Sequence, residues 1–391
     1  MDFELTEEQK TVRHEIRRLA EKYPASYWRE KDLKREYPTE FTEELAKAGW
    51  LGAVFPEQYG GGGLGTLEAS IILEELTASG AGFDGSMACH AVYINSAPLI
   101  KHWTDDKKQE YLPKIASGEL RLQTLAITEQ DSGFDTTKIT TSAARDGDYY
   151  IINGKKVFIS RLDNTDLMLM IVRTTPREKT EKRTKGMSLF LADLRKAGNT
   201  VKWRRIHTFC RHAVDTNEIW FNNFAVPADH LIGKEGEGFY QLLDVLNPER
   251  IYVAAECVGL GRLALQKAAQ YAKERIIFDR PIGKNQAIAH PLARAFSKLE
   301  TADLMRYKAA WLFDRGLPCG KEANIAKLLA SEAAFEAADR TVQTLGGYGF
   351  AEEYDVERYF RESRLTLLAP ISTEMVLNYI AEHVLGLPRS Y

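Results

Sequence analysis

The sequence predicts a mostly helical α+β protein laid out in three parts: helical, then β, then helical. Three observations carry that expectation. Apolar residues recur with a helical period through the first third of the chain. From about Gln123 short runs of β-formers take over, separated by turn residues. From about Gly233 the helical period returns and persists to the end, with alanine-rich stretches.

Taken in order, Thr6-Glu7-Glu8-Gln9 has the form of a capping box, and Val12, Ile16 and Leu19 then share one helical face. Further apolar helical stretches fall around Phe41–Ala48, Leu67–Leu76 and His90–Trp103. Gly60 to Gly63 lies between two of them; no Lys-Ser/Thr follows to make it a phosphate cradle, so it reads as a turn. In the middle third, Ile139–Ala144, Tyr149–Ile152 and Lys156–Ile159 read as strands. Asp146-Gly147 and Asn153-Gly154 are expected as hairpin turns between them. Leu167–Val172, Ser188–Ala192 and Glu218–Phe221 continue the strand signal, and the charged run Pro176–Lys185 reads as a solvated loop. Ile251–Lys273 and Ala323–Val342 are long helices of the last part.

Composition narrows the function classes. With 391 residues the chain is long enough for two or three domains, and 44% hydrophobic with 27% charged residues suits a globular protein. A net charge of −3 gives no electrostatic reason to expect nucleic acid or an anionic membrane as partner. No apolar run approaches the ~20 residues of a membrane span. The acidic start argues against a targeting peptide, and Arg389-Ser390-Tyr391 is not a peroxisomal signal. Cys89, Cys210, Cys257 and Cys319 are far apart, so neither a disulfide framework nor a zinc site is expected, and a cytoplasmic setting is the simplest. Cys89 and His90 on an apolar helix read as packed residues rather than metal ligands.

Five separated motifs carry a resemblance: Tyr111-Leu-Pro-Lys-Ile-Ala-Ser-Gly118; Ala126-Ile-Thr-Glu-Gln-Asp-Ser-Gly133; Ile152-Asn-Gly-Lys-Lys-Val-Phe-Ile-Ser160; Arg275-Ile-Ile-Phe278-Asp-Arg-Pro-Ile282 with Gln286; and Gln343-Thr-Leu-Gly-Gly-Tyr-Gly-Phe350. In this order and spacing, over nearly the whole chain, the sequence resembles the acyl-CoA dehydrogenase family. The resemblance implies a helical N-terminal domain (1–122), a middle β-barrel (123–232) and a C-terminal four-helix bundle (233–391). It implies FAD as cofactor, an acyl-CoA substrate, an electron-transferring flavoprotein as acceptor and a homotetramer.

It also assigns residues. Ile127, Thr128, Gly133, Phe158 and Ser160 would line the flavin ring, where a flat apolar wall and donors near the ring suit a hydride acceptor. Without the neighbouring motifs, Phe158 and Ile159 read as alternating strand core. Arg275, Phe278 and Gln286 would reach the dinucleotide of a neighbouring subunit, the arginine fork suiting a diphosphate. Gln343, Gly346 and Gly347 would form a bend against it, with Ser372 and Glu374 also on the cofactor. Phe134, Tyr240, Asn247 and Arg250 fall on the substrate side, Phe134 and Tyr240 reading equally as aromatic packing.

The base is where the sequence departs from the commonest pattern. That pattern has a late glutamate whose carboxylate takes the α-proton and whose N–H holds the thioester carbonyl. Aligned through Arg361–Thr366 and Glu374, the position is Pro370, which supplies neither. Glu249, just before Arg250, matches the placement in isovaleryl-CoA and long-chain acyl-CoA dehydrogenases, and it is the expected base. Asn247-Pro248-Glu249 also reads as a helix start, where a carboxylate is stabilised by the dipole without any catalysis. Pro370 supports a second reading, a flavin monooxygenase or oxidase of the same fold; a third is a flavin-binding protein without turnover, against which the mildly acidic chain and the absence of a basic cluster speak.

Overall fold

A computed structural model describes residues 4–390. Its first part is six helices: α1 (Glu7–Ala20), α2 (Ala25–Lys34), α3 (Thr39–Lys47), α4 (Thr66–Leu76), α5 (Gly82–His102) and α6 (Asp105–Ala116). The capping box of α1 forms as expected: Gln9 N–H donates to Thr6 Oγ1 at 3.2 Å and Thr6 N–H to Gln9 Oε1 at 3.0 Å. Val12, Ile16 and Leu19 are buried beneath it. α5 begins well before His90, after a break at Gly80 and Gly82, both with positive φ. The glycines at 60–63 fold back under the chain, and a Cβ on Gly61 would sit 2.2 Å from the Phe55 carbonyl.

Strands β1 (Leu122–Ala126), β2 (Ser142–Asp146), β3 (Tyr149–Ser160), β4 (Leu167–Arg173), β5 (Met187–Asp193), β6 (Val201–Arg205), β7 (Thr216–Pro227) and β8 (Leu231–Ile232) form one mixed sheet, ordered β6-β7-β3-β2-β4-β5-β8, with β1 on β4. Asp146-Gly147 makes the β2–β3 hairpin. Asn153-Gly154 does not make one: β3 runs straight through it. The glycine (φ 145°) lies at a register shift against β7, where a Cβ would be 2.7 Å from Thr141. Positive φ at this pair serves a bulge instead of a turn. The expected closed barrel is also corrected. β6 and β8 are not paired to each other, and β2 meets β4 through one residue pair, so the sheet stays open.

β4 is buried on both faces, which seats the sheet between two cores. Leu167, Leu169 and Ile171 join the core shared with the N-terminal helices, while Met168, Met170 and Val172 join the sheet's own.

The last part is built on α7 (Gly238–Glu274), α8 (Gln286–Asp314) and α9 (Gly320–Leu345), with a hairpin, β9 (Ile276–Ile277) and β10 (Arg280–Pro281), between the first two. Shorter α10 (Val356–Thr366) and α11 (Thr373–Tyr379) follow. Three long helices are therefore present, with the shorter α10 contributing Val356 and Tyr359 to their core; the expected four-helix bundle is not established. Alanines 254, 264, 268, 326, 330, 334 and 338 are buried at their interfaces, and small side chains let the axes approach closely. α7 also meets the N-terminal part, where a Cβ on Gly259 would be 2.4 Å from the Glu74 carbonyl of α4. No described helix is long and apolar enough to cross a membrane.

Candidate active site

Glu249 lies inside α7. The helix starts at Gly238 and continues through Pro248, so Glu249 is not at a helix N-terminus and the dipole reading is corrected. Pro248 looked like a first-turn proline because nothing local in the sequence shows the helix already running. The Glu249 carboxylate makes no hydrogen bond or ion pair among the described residues, and it is only half-buried by surface area. Burial nonetheless raises its pKa. His90 and Arg250 pull it back down, and Glu256 adds to the rise.

Next to it, Arg250 donates from Nη1 to Asn247 Oδ1 at 3.1 Å, while its buried Nε has no partner. Burial lowers the Arg250 pKa. A guanidinium with a spare buried donor suits an anionic or carbonyl-bearing ligand. Tyr240, at the start of α7, is pinned to the β4–β5 loop. Its hydroxyl is 2.9 Å from Thr184 Oγ1, and Lys185 Nζ lies 4.9 Å from its ring centre.

Pro370 is exposed in the loop between α10 and α11. Buried Lys327 of α9 clamps this loop, donating to the Thr366 and Ile371 carbonyls at 2.7 Å each. The Ile371 N–H makes no hydrogen bond among the described residues. Ser372 caps α11 through Met375 N–H, and Glu374 is exposed in that helix's first turn.

Ile127, Thr128, Phe158 and Ser160, expected at a flavin ring, lie just after β1 and on β3 as one wall. Phe158 is 65% exposed at a register shift in β3, with φ 59°. It is not alternating strand core: the bulge turns the ring out. The Ser160 hydroxyl has no protein partner among the described residues. A Cβ on Gly133 would meet nothing within 4 Å, and Phe134 beside it is 58% exposed. Lys156, fully buried, holds the wall from behind. Its Nζ donates to the Ile127 carbonyl at 2.8 Å and pairs with Glu129 at 2.9 Å. Thr128 Oγ1 donates to the Val157 carbonyl at 2.5 Å. α5 ties this wall to α7: Arg161, following Ser160, donates to the Met87 carbonyl, Gln123 donates to the Ala88 carbonyl at 3.1 Å, and Ser86 donates to Glu256 of α7 at 2.6 Å. An exposed aromatic face, an unpaired hydroxyl and a braced backbone fit a flavin ring.

The other expected cofactor residues sit elsewhere. Arg275, Phe278 (91% exposed) and Gln286 surround the β9–β10 hairpin, and exposed Gln343, Gly346 and Gly347 end α9. The two groups share one end of the bundle, where the Tyr348 and Tyr271 rings are 6.3 Å apart. Along α7, about 39 Å separates Glu249 from Arg275 at 1.5 Å per residue.

Sequence reasoning missed Lys156, Lys327 and the carboxylate beside His90. His90 is buried as expected, but its Nδ1 is 3.0 Å from Glu256, a pairing no local signal announces. Among the described residues no group of His, Cys, Asp and Glu could hold a metal, and all four cysteines are free and buried.

Known proteins share the sequence and fold. The N-terminal, middle and C-terminal domain models of acyl-CoA dehydrogenase match residues 6–119, 124–224 and 236–385. The acyl-CoA dehydrogenase FadE12 of Mycobacterium tuberculosis is 40% identical over 99% of this chain and 98% of its own. Among solved structures, butyryl-CoA dehydrogenase from Megasphaera elsdenii is 30% identical (TM-score 0.92; 98% of this chain, 100% of that one). The FAD complex of PigA is 26% identical (TM-score 0.92; 99% and 100%). Matched by the three family models over most of its length and by a 40% identical relative covered almost in full, the chain belongs to the acyl-CoA dehydrogenase family of oxidoreductases, and its cofactor is FAD.

Proposed function

We propose that the protein oxidises the α,β bond of an acyl-CoA thioester to the 2,3-enoyl-CoA, with Glu249 as the base that takes the α-proton. The observation that carries this is the Glu249 carboxylate: half-buried inside α7, raised in pKa by burial, and without a hydrogen bond or ion pair among the described residues. A structural carboxylate so placed would be hydrogen-bonded or paired. Burial makes it more basic than a surface carboxylate, which suits proton abstraction. Phe158, Ile127, Thr128, Gly133 and Ser160 would hold the FAD ring, which would supply the hydride acceptor.

Arg250, Asn247 and Tyr240 would hold the CoA side of the substrate, and Phe134 would narrow the wall next to it. Pro370 cannot polarise the thioester carbonyl, so the Ile371 N–H, on a loop fixed by Lys327, is the donor we assign to it. The hairpin group lies too far along α7 to touch the same dinucleotide within one chain, so a neighbouring copy in a homotetramer would supply Arg275, Phe278, Gln286, Gln343, Gly346 and Gly347. Ser372 and Glu374 would complete the cofactor site from the α11 turn. The division into 1–122, 123–232 and 233–391 follows the change from helices to strands and back. Electrons would leave to an electron-transferring flavoprotein.

A flavin oxidase or monooxygenase is the second reading, favoured by the missing carboxylate at 370. Anaerobic mixing of the yellow protein with a panel of short, branched, long and aromatic acyl-CoAs separates the two. Bleaching by at least one thioester supports dehydrogenation; a flavin that stays oxidised with all of them and bleaches only with a separate reductant supports the oxygen-using reading.

A further inference from the structure

Tyr379 ends α11, and its phenol reaches the start of α9 beside α7. A Cβ on Gly320 would lie 2.8 Å from the Tyr379 hydroxyl oxygen and 4.0 Å from Asn247 Nδ2, so the glycine makes room for the hydroxyl. The groups around it are held in place. The Gly320 carbonyl accepts from Nδ2 of buried Asn324 at 2.7 Å. Asn247 Oδ1 accepts from Arg250 Nη1 at 3.1 Å, and the buried Arg250 Nε has no partner. The Tyr379 ring lies 4.9 Å from that of His383. The loop leading into α11 is the one that Lys327 clamps through the Ile371 carbonyl. The Tyr379 hydroxyl itself is half-buried and makes no hydrogen bond among the described residues. From Thr373 to Tyr379 the helix runs about 9 Å. One short helix thus has Ile371 N–H, the donor assigned to the thioester carbonyl, just ahead of its start and an unpaired hydroxyl at its end.

We propose that Tyr379 is a further substrate-binding residue: its hydroxyl completes, with Asn247 and Arg250, a cradle for the amide-bearing arm that joins the thioester to the CoA nucleotide. A phenol and a carboxamide both donate and accept, which suits a chain of carbonyl and N–H groups. A phosphate would call for more cations than Arg250 alone. The contact fixes the arm and takes no part in proton or hydride transfer. The inference rests on the acyl-CoA reading of the site and not on which residue is the base.

The test titrates FAD-loaded protein with a CoA thioether, which lacks the carbonyl that acidifies the α-proton and so is not oxidised, and follows the flavin absorbance. Wild type, Y379F, G320A and Y379F/G320A are compared. Y379F weakens binding about three- to tenfold, the loss of one hydrogen bond. Its limiting rate of flavin reduction, with a saturating acyl-CoA that bleaches the wild type, stays at the wild-type value. Gly320 has no positive φ, so G320A adds no backbone strain; its methyl displaces the hydroxyl and binding weakens as in Y379F. Without the hydroxyl the nearest ring carbon is 3.7 Å from that methyl, so the double variant binds no worse than Y379F. Unchanged affinity in Y379F, losses that add in the double variant, or a lower limiting rate with affinity retained overturns the inference. A wild-type protein that binds no CoA thioether overturns the acyl-CoA reading with it, whereas full bleaching by E249Q removes the base alone.

Discussion

Replacing Glu129 by glutamine removes a charge from behind the flavin wall at nearly constant shape. Lys156 is fully buried, and burial drives its pKa down to about 8 from 10.5, with Glu129 opposing the drop. Burial pushes Glu129 up, but Lys156 and the Thr140 and Thr141 donors outweigh it and hold the carboxylate below its ordinary range. Glu129 also accepts from Thr140 N–H (2.7 Å), Thr140 Oγ1 (2.8 Å) and Thr141 N–H (3.0 Å), whereas the lysine has only the Ile127 carbonyl besides. E129Q therefore leaves a buried cation unpaired; by giving up its proton the lysine caps that cost at about 1.4 kcal/mol per pH unit below about pH 8, added to about 1–3 kcal/mol for weakened hydrogen bonds. K156M leaves the carboxylate three other donors and costs less, about 1–3 kcal/mol. The sign with pH follows from the lysine. A folded pKa below the unfolded one means that stability falls as pH drops from 10.5 to the folded value and is flat below it. In E129Q that folded value sinks further, so the deficit against wild type widens below about pH 8. Urea unfolding at fixed protein concentration, at neutral pH and again well above pH 8, reads both. A neutral-pH deficit under about 1 kcal/mol, or the same deficit at both pH values, would refute the reasoning.

Other perturbations are expected to sort by mechanism. K327M leaves the Thr366 and Ile371 carbonyls without their donor, lowering unfolding stability by about 2–4 kcal/mol; an unchanged urea midpoint would contradict the clamp. Gly346 has φ 60° and ψ −128° with open space around a Cβ, so G346A costs about 1–3 kcal/mol from backbone strain alone. G347A, with the same open space and no positive φ, stays within about 0.5 kcal/mol. F158A should weaken FAD binding about three- to tenfold by removing the ring face, measured by the return of free-flavin fluorescence on dilution; unchanged release would remove Phe158 from the wall.

What could be read from sequence was what repeats locally. The capping box, the apolar face of α1 and the Asp146-Gly147 hairpin each depend on neighbours a few residues away. α2 escaped notice because only Trp28 and Asp32 are buried on it, too little for a visible stripe. Asn153-Gly154 misled because positive φ serves bulges as well as turns, and Pro248 because a proline inside a helix looks like one at its start. Glu249 was singled out by its placement before Arg250, and its role as base is the proposal. Its surroundings were not legible: Glu256 and His90 are 166 residues apart, Lys156 gains its meaning from Glu129, and Lys327 from a loop 39 residues on.

The most direct test of Glu249 as the α-proton base is single-turnover flavin reduction under anaerobic conditions, wild type against E249Q, both at full FAD content. Losing a positioned base should slow reduction by about 10²–10⁴-fold with acyl-CoA binding retained. An E249Q protein that bleaches at the wild-type rate would contradict it.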